Sequence, residues 1–160
     1  MKRTLVLGLG NDILTDDAIG LRVVREVARR LAGRPGVDVH ETEEMGLALL
    51  DWIVGYDALI LVDAIQTGAA APGTIKTLAG DQLPDTGART PHFLGVGETL
   101  KLGEILGLAM PREVRVLGVE VADPFTLGTE LTPALQAALP RIVDAVVREV
   151  EACQAQPVAA

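Results

Sequence analysis

Short apolar runs alternate along the chain with segments in which apolar residues recur at helical spacing. The run at 4–9 (TLVLGL) is continuously apolar up to a glycine, a pattern typical of a strand that is buried on both faces. From Ala18 to Leu31, apolar residues recur every three or four positions while arginines occupy the opposite side. The chain therefore begins with a strand, a turn and an amphipathic helix.

The same alternation continues toward the middle of the chain. Residues 37–41 alternate like a strand, 46–54 has the pattern of a short helix, and 58–62 (ALILV) predicts a buried strand that ends at Asp63. This order favours a parallel, doubly wound sheet with helices on both faces. The strand-like segment 73–78 follows a linker too short for a helical crossover, so we expect it to run antiparallel.

The second half predicts a helix, a strand and a long last helix. Residues 94–108 have a helical period that glycines weaken, and 113–121 (EVRVLGVEV) alternate as a strand. Thr132 followed by Pro133 is typical of a helix start, and the helix is predicted to run to about Cys153. The fold class predicted is α/β: a three-layer sandwich with a mostly parallel, mixed five-stranded sheet between helices.

Length and composition agree with one domain and exclude several partners. The chain has 160 residues, of which 49% are hydrophobic, so we predict a single domain over 1–153 and a flexible tail at 154–160. A net charge of -8 and an aromatic content of 2% argue against a nucleic-acid partner. No uncharged apolar stretch is long enough to span a membrane. The single cysteine suits a reducing compartment, so we expect a cytoplasmic protein.

Candidate chemistry lies first in the turn after the first strand, because ligands of doubly wound sheets bind at the carboxyl ends of the strands. This turn, 8–20 (GLGNDILTDDAIG), begins with G-x-G, as dinucleotide-binding turns do. However, Ile13 occupies the place of the third glycine, and Asp16 and Asp17 would repel a phosphate. A nucleotide-binding module is therefore the least favoured alternative.

The two acids of this turn have two interpretations. An acid at a helix start can simply cap the helix and offset its dipole, and one acid is enough for that. The second would be free to face the crevice at the strand ends and take a metal or a proton. Asp63 is expected at the same edge of the sheet, where it could also satisfy loop amides.

His92 is one of two histidines and precedes the helix in TPHFLG, whereas His40 has the pattern of an exposed strand residue. A histidine at a helix start can be only a cap or a partly buried side chain. Two carboxylates and one imidazole could bind a divalent cation and leave coordination positions open, although no local metal-ligand spacing supports this. Cys153 lies near the end of the last helix, so no covalent nucleophile is evident.

Four sequence elements together resemble the hydrogenase maturation endopeptidases, over residues 3 to about 150. These elements are the turn at 8–20, VDA at 62–64, HFLG at 92–95, and LGVEVADPFTLGTELTP at 117–133. Members of this family are cytoplasmic proteases that remove a C-terminal extension from the large subunit of nickel–iron hydrogenases after nickel insertion. The resemblance implies a hydrolase, a metal-gated or aspartic-type endopeptidase, whose partner is the large-subunit precursor, and we expect it to be a monomer.

The resemblance also implies the site. By motif, Asp17, Asp63 and His92 form the metal site, and Asp17 and Asp63 are the candidate catalytic residues. The metal is nickel that the substrate supplies, although other divalent cations could occupy the site. A carboxylate could activate water, or the metal could polarise the carbonyl, and the sequence does not distinguish between these two mechanisms.

Two positions depart from the family pattern. The family often has Glu where this chain has Asp17, so the side chain here is one methylene shorter. EEMG at 43–46 replaces the glycine-rich turn of many members.

The alternative from another functional class is a metal-binding maturation factor without catalytic activity, which would bind the precursor without shortening it.

Overall fold

The computed structural model describes residues 1–80 and 91–158, and it describes side chains except at 91–94. In this part of the chain, short 3₁₀ turns at Thr15–Ala18 and Gly46–Ala48 precede the first two helices. The elements are β1 (Thr4–Leu9), α1 (Ile19–Arg30), β2 (Val37–Thr42), α2 (Leu49–Ile53), β3 (Ala58–Ile65), β4 (Ile75–Ala79), α3 (Pro91–Ile105), β5 (Glu113–Glu120) and α4 (Pro133–Ala155).

The five strands form one mixed sheet in the order β2-β1-β3-β5-β4. The pairs β1–β2, β1–β3 and β3–β5 are parallel, while β4 runs antiparallel to β5 at the edge. This confirms the predicted fold class. β4 is antiparallel because the short linker after β3 cannot carry the chain back along the sheet for a parallel strand.

Helices cover both faces of the sheet, and the alternation of side chains along the strands separates two aliphatic cores. Val6, Ile60 and Val62 face α1 and α4, whereas Leu7 and Leu61 face α2 and α3. All residues of β1 and β3 are buried, which explains why their sequences, apart from Thr4 and Asp63, are apolar instead of alternating.

Several boundaries differ from those predicted. α3 covers Pro91–Ile105 instead of 94–108, so His92 lies in the first turn of the helix and not before it. β3 continues to Ile65, so Asp63 lies inside the strand, opposite Gly118 of β5, instead of directly after it. The strand extends because β5 provides a partner through Ile65, which the sequence of β3 alone does not reveal. α4 reaches Ala155 and so includes the first two residues of the predicted tail, of which 159–160 lie outside the described residues.

No helix in the described ranges is both long and apolar enough to cross a membrane. The longest, α4, covers 23 residues, but its buried side chains lie along one side and pack into the core formed with α1. Its length therefore serves packing against the sheet.

A partly buried ion pair connects the end of α4 to the amino edge of the sheet. The Nζ atom of Lys2 donates to Glu113 at 2.6 Å and to the carbonyl oxygen of Cys153 at 2.8 Å. Burial by itself would raise the pKa of Glu113, but the hydrogen bond and positive charge of Lys2 outweigh it and hold this pKa below its usual value. The ionised carboxylate is therefore the form that the fold stabilises.

Replacing Glu113 with Gln should destabilise the protein in a pH-dependent way. Because the pKa of Glu113 is lowered by folding, its contribution is present above the pKa of the unfolded chain and is lost as pH falls through the folded pKa. In urea denaturation we expect Glu113→Gln to lower the free energy of unfolding by about 1–2 kcal/mol at pH 7, and less below about pH 4. Glu104→Gln, at an exposed position of α3, is the control. A deficit that stays constant down to pH 3 would contradict this account.

Candidate functional site

The first turn of α1 packs directly on the carboxyl ends of β1 and β3. A Cβ atom at Gly20 would lie 2.3 Å from the carbonyl oxygen of Leu9 and 2.5 Å from that of Val62. Likewise, a Cβ at Gly10 would lie 2.2 Å from the carbonyl oxygen of Asp17. Only glycine permits these approaches, so close helix–strand packing explains the glycines of the turn that resembles a dinucleotide fingerprint.

This packing places two buried acids at one edge of the sheet. Asp17 precedes Gly20 in the chain by three residues and is only 6% exposed, while Asp63 directly follows Val62 and is 2% exposed. The Oδ1 atom of Asp63 accepts a hydrogen bond from the amide of Ala64 at 2.8 Å. Buried carboxylates are uncommon in proteins, and these two lie where ligands of doubly wound sheets bind. Both acids are therefore candidates for a functional site.

Alternation along β3 determines which face of the sheet Asp63 occupies. Its side chain shares the face of Leu61 and Ile65, both of which belong to the core beneath α2 and α3. α3 is also the helix that begins with the His92 segment. Asp63 therefore projects toward the layer of the fold that carries His92.

His92 lies in the first turn of α3, and its side chain is outside the described residues. The start of α3 can still be located, because a Cβ at Gly95 would lie 3.9 Å from the Cε atom of Met45. Met45 follows β2, whose carboxyl end is at the same edge as those of β1 and β3. The helix that carries His92 thus begins at the edge where Asp17 and Asp63 lie.

The metal site itself stays a prediction. Among the side chains that the structure describes, no three His, Cys, Asp or Glu residues form a group that could hold a metal ion. The other histidine, His40, is exposed on β2 and contacts Trp52 in a tilted arrangement, with 5.3 Å between the ring centroids. It has the position predicted for an ordinary surface residue.

Asp16 has a structural role that differs from the predicted helix cap. It is fully buried and makes no capping bond at the start of its own helix. Its carboxylate instead accepts hydrogen bonds from the amides of Ala122, Asp123 and Thr132, at 3.1, 2.9 and 2.8 Å. The Thr132 hydroxyl also donates to it at 2.8 Å. Asp16 therefore joins the loop after β1 to the segment between β5 and α4.

Thr132 also contacts the distant loop instead of capping its own helix. It occupies the predicted position before the first residue of α4, but its side chain makes no bond to the amides of that helix. Its hydroxyl instead donates to the buried carboxylate of Asp16, and a charged acceptor strengthens this hydrogen bond. The helix start was recognisable from the sequence, whereas its long-range partner was not.

A second set of contacts between these segments was not predicted. The amide of Thr15 donates to the carbonyl of Gly128 at 3.0 Å, and the amide of Gly128 donates to that of Ile13 at 2.9 Å. Thr15 has a φ of 46°, which is rare for a β-branched residue and costs on the order of 1–2 kcal/mol. The inter-segment bonds hold this conformation immediately before Asp16 and Asp17.

The turn at 43–46 that departs from the family pattern is also held by hydrogen bonds. Glu43 accepts from the amide of Asp12 at 3.2 Å, and Glu44 accepts from the indole nitrogen of Trp52 at 3.2 Å. Nearby, Arg25 bridges Asp12 and Glu41 with bonds of 2.7 to 2.8 Å. The charged side chains thus attach this turn to the loop after β1.

Comparison with known proteins identifies the family. The model of the hydrogenase maturation protease family matches residues 21–149. The hydrogenase 2 maturation protease of Escherichia coli strain K12 is 34% identical over 137 residues, which cover 84% of this chain and 82% of the relative. The chain belongs to the hydrogenase maturation protease family. The hydrogenase expression/formation protein HupD of Bradyrhizobium diazoefficiens is 32% identical and covers 89% of this chain and 74% of its own length.

Solved structures agree with this assignment. The E. coli hydrogenase maturating endopeptidase HybD superposes with a TM-score of 0.83 at 31% identity, covering 94% of this chain and 93% of HybD. The nickel–iron hydrogenase maturation protease HybD of Thermococcus kodakarensis gives a TM-score of 0.72 at 27% identity, covering 91% of this chain and 97% of that one. The protein is therefore a hydrolase, a hydrogenase maturation endopeptidase, as the sequence elements predicted.

Replacing Gly20 with Ala should destabilise this protease, because the new methyl group would overlap two backbone oxygens that cannot turn away. We expect the free energy of unfolding to fall by about 2–3 kcal/mol in chemical denaturation. Gly95→Ala is the matched control: among the described residues only Met45 comes within 4 Å of the new methyl group, and alanine favours the helix. Equal stability of the Gly20 and Gly95 variants would refute the close-packing explanation.

Replacing Asp16 with Asn should also be costly, because the amide group would present N–H donors to a shell of donors. We expect a loss of about 2–4 kcal/mol in the free energy of unfolding. Asp123→Asn is the control, since one Asp123 oxygen accepts from Phe125 and Thr126 and asparagine retains such an oxygen. The free energy of unfolding of this control should stay close to that of the wild type. A neutral Asp16→Asn would show that the carboxylate does not join the two segments.

Proposed function

We propose that this protease removes the C-terminal extension from the precursor of a nickel–iron hydrogenase large subunit, and that nickel in the precursor is the signal for cleavage. The observation that carries this proposal is the pair of buried acids, Asp17 and Asp63, at the edge where α3 begins with His92. We assign these three residues as the groups that bind the substrate's nickel.

The chemistry of the donor set supports this assignment. Two carboxylates and an imidazole suit a borderline divalent cation and leave coordination positions for ligands from a second molecule. The protease has one cysteine, Cys153, which is buried near the end of α4 beside Lys2 at the amino edge of the sheet. Any thiolates around the nickel must therefore come from the precursor.

This division of ligands explains how nickel could act as a signal. A precursor without nickel would meet the site through the peptide alone, whereas a loaded precursor would gain the additional bonds to Asp17, Asp63 and His92. Binding energy that exists only for the loaded form shifts the binding equilibrium in its favour. Cleavage would thus follow completion of the metal centre.

Asp17 and Asp63 are also the proposed catalytic carboxylates. One of them could accept a proton from the attacking water, while nickel held in the precursor could polarise the carbonyl of the bond to be cut. Both carboxylates are largely shielded from solvent, which strengthens their interactions with a cation or a proton. Because Asp17 is shorter than the glutamate frequent in the family, we propose that the nickel of the substrate lies closer to the 3₁₀ turn here.

We further propose that the protease acts in the cytoplasm. Its single cysteine is buried and free, which suits a reducing compartment. The monomeric state expected from the sequence stays a prediction, which sedimentation of the purified protein would test.

Nickel-dependent cleavage can be tested with purified precursor, loaded with nickel or free of it, by measuring the mass of the product. We expect the wild type to shorten only the loaded form, and Asp17→Asn, Asp63→Asn and His92→Ala to lose at least about 100-fold in rate. Asp17→Glu keeps a carboxylate at this position and should retain most of the wild-type activity. His40→Ala replaces the exposed histidine beside Trp52 and serves as the control.

Three results would count against the proposal. Cleavage of nickel-free precursor at the wild-type rate would exclude nickel as the signal. Full activity in the asparagine variants would exclude the two carboxylates as metal-binding or catalytic groups. Binding of the loaded precursor without a shortened product would favour the non-catalytic maturation factor.

A further inference from the structure

Three large apolar side chains are exposed beside the proposed site. Ile13 is 55% exposed, Phe125 69% and Leu127 75%, and we call these three residues the apolar rim. The chain has only two phenylalanines, and one of them lies on this surface. Single exposed apolar residues are ordinary in proteins, but a group carried by two joined loops calls for a physical explanation.

The backbone holds the apolar rim in place. Ile13 accepts a hydrogen bond from Gly128 at 2.9 Å, so the two loops that carry the rim are joined directly. One oxygen of Asp123 accepts from the amides of Phe125 and Thr126, both at 3.0 Å, and fixes the turn that presents Phe125. A surface ordered before binding loses little conformational entropy when a partner covers it.

The apolar rim is also continuous with the proposed site. Thr15 donates hydrogen bonds to the carbonyl oxygens of Gly128 and Thr126, in the loop that carries Phe125 and Leu127. Asp16 and Asp17 follow Thr15 directly in the chain. Asp16 ties the same turn to Asp123, two residues before Phe125. The loops that carry the apolar rim are therefore bonded directly to the turn that carries Asp17.

Charge indicates the kind of peptide that fits. The chain carries a net charge of -8, yet residues 124–129 (PFTLGT) and 13–15 (ILT) contain no charged side chain. The rim side chains themselves therefore offer burial of apolar surface, while Asp12, Asp123 and Glu130 border the two stretches.

We propose that the apolar rim is the docking surface for an apolar stretch of the hydrogenase large-subunit precursor that lies beside the bond to be cut. This inference rests on the proposed function, because the site that the rim adjoins is the proposed cleavage site. The rim contributes binding energy at a distance from the reacting atoms, so its loss should weaken binding of the precursor more than it slows the chemical step.

The test measures kcat and KM for nickel-loaded precursor with Phe125→Ser, Leu127→Ser and Phe125→Leu. We expect each serine variant to raise KM about 10-fold or more with kcat within about twofold, because an apolar anchor is lost from the interface. Phe125→Leu retains most of the apolar area and should stay near the wild type. Ile105→Ser and Leu106→Ser, at exposed apolar positions at the far end of α3, are the matched controls.

Direct binding separates failure of this inference from failure of the proposed function. The dissociation constant of the loaded precursor is measured by calorimetry for the wild type and Phe125→Ser, independently of cleavage. Weaker binding by Phe125→Ser supports the rim even if the wild type cuts nothing, which would overturn only the proposed function. Unchanged KM and dissociation constants with normal cleavage would overturn the rim alone. A wild-type dimer that Phe125→Ser dissociates, with unchanged precursor binding, would also overturn it and assign the rim to contact between copies.

Discussion

The candidate site depends on one buried carboxylate. Asp16 belongs to the turn after β1. Its carboxylate accepts hydrogen bonds from three backbone amides and one hydroxyl of the segment between β5 and α4. Both segments are loops, and backbone hydrogen bonds between Thr15, Gly128 and Ile13 join them beside this carboxylate. The carboxylate satisfies donors that would otherwise be buried without a partner, and in doing so it connects the first and last thirds of the chain at the edge of the sheet.

The neighbouring acids Asp16 and Asp17 illustrate how position decides the role of a residue. The glycine at position 20 lets α1 lie against the carbonyl oxygens at the ends of β1 and β3, which buries both acids. Asp16 is then surrounded by donors from the opposite loop, so its charge is used to hold the fold. Asp17 is the acid of this turn that we propose for the nickel chemistry with Asp63.

Much of the fold was predictable because buried apolar positions recur along the chain in patterns typical of strands and helices. The apolar runs of β1 and β3 and the helical period of α1 each lie within one element, and all three were predicted to within a few residues. Asp63 was predicted at the correct edge, but as a residue after the strand. Its burial inside β3 depends on pairing with β5, more than fifty residues later in the sequence. Helix capping, one of the two interpretations of the acids at 16 and 17, is not the role of Asp16, because its partners come from a distant loop.

The sequence by itself determined the order of strands and helices, the acids and histidine of the candidate site, and the family, because these are recorded in local periodicity and short motifs. Only the tertiary structure decided that Asp16 joins two loops, that Thr132 faces it, and that Ile13 and Phe125 lie on joined loops. Those contacts link residues more than one hundred positions apart. Local sequence carries no signal for such pairs, because the packing of α1 and α4 on the same sheet brings them together.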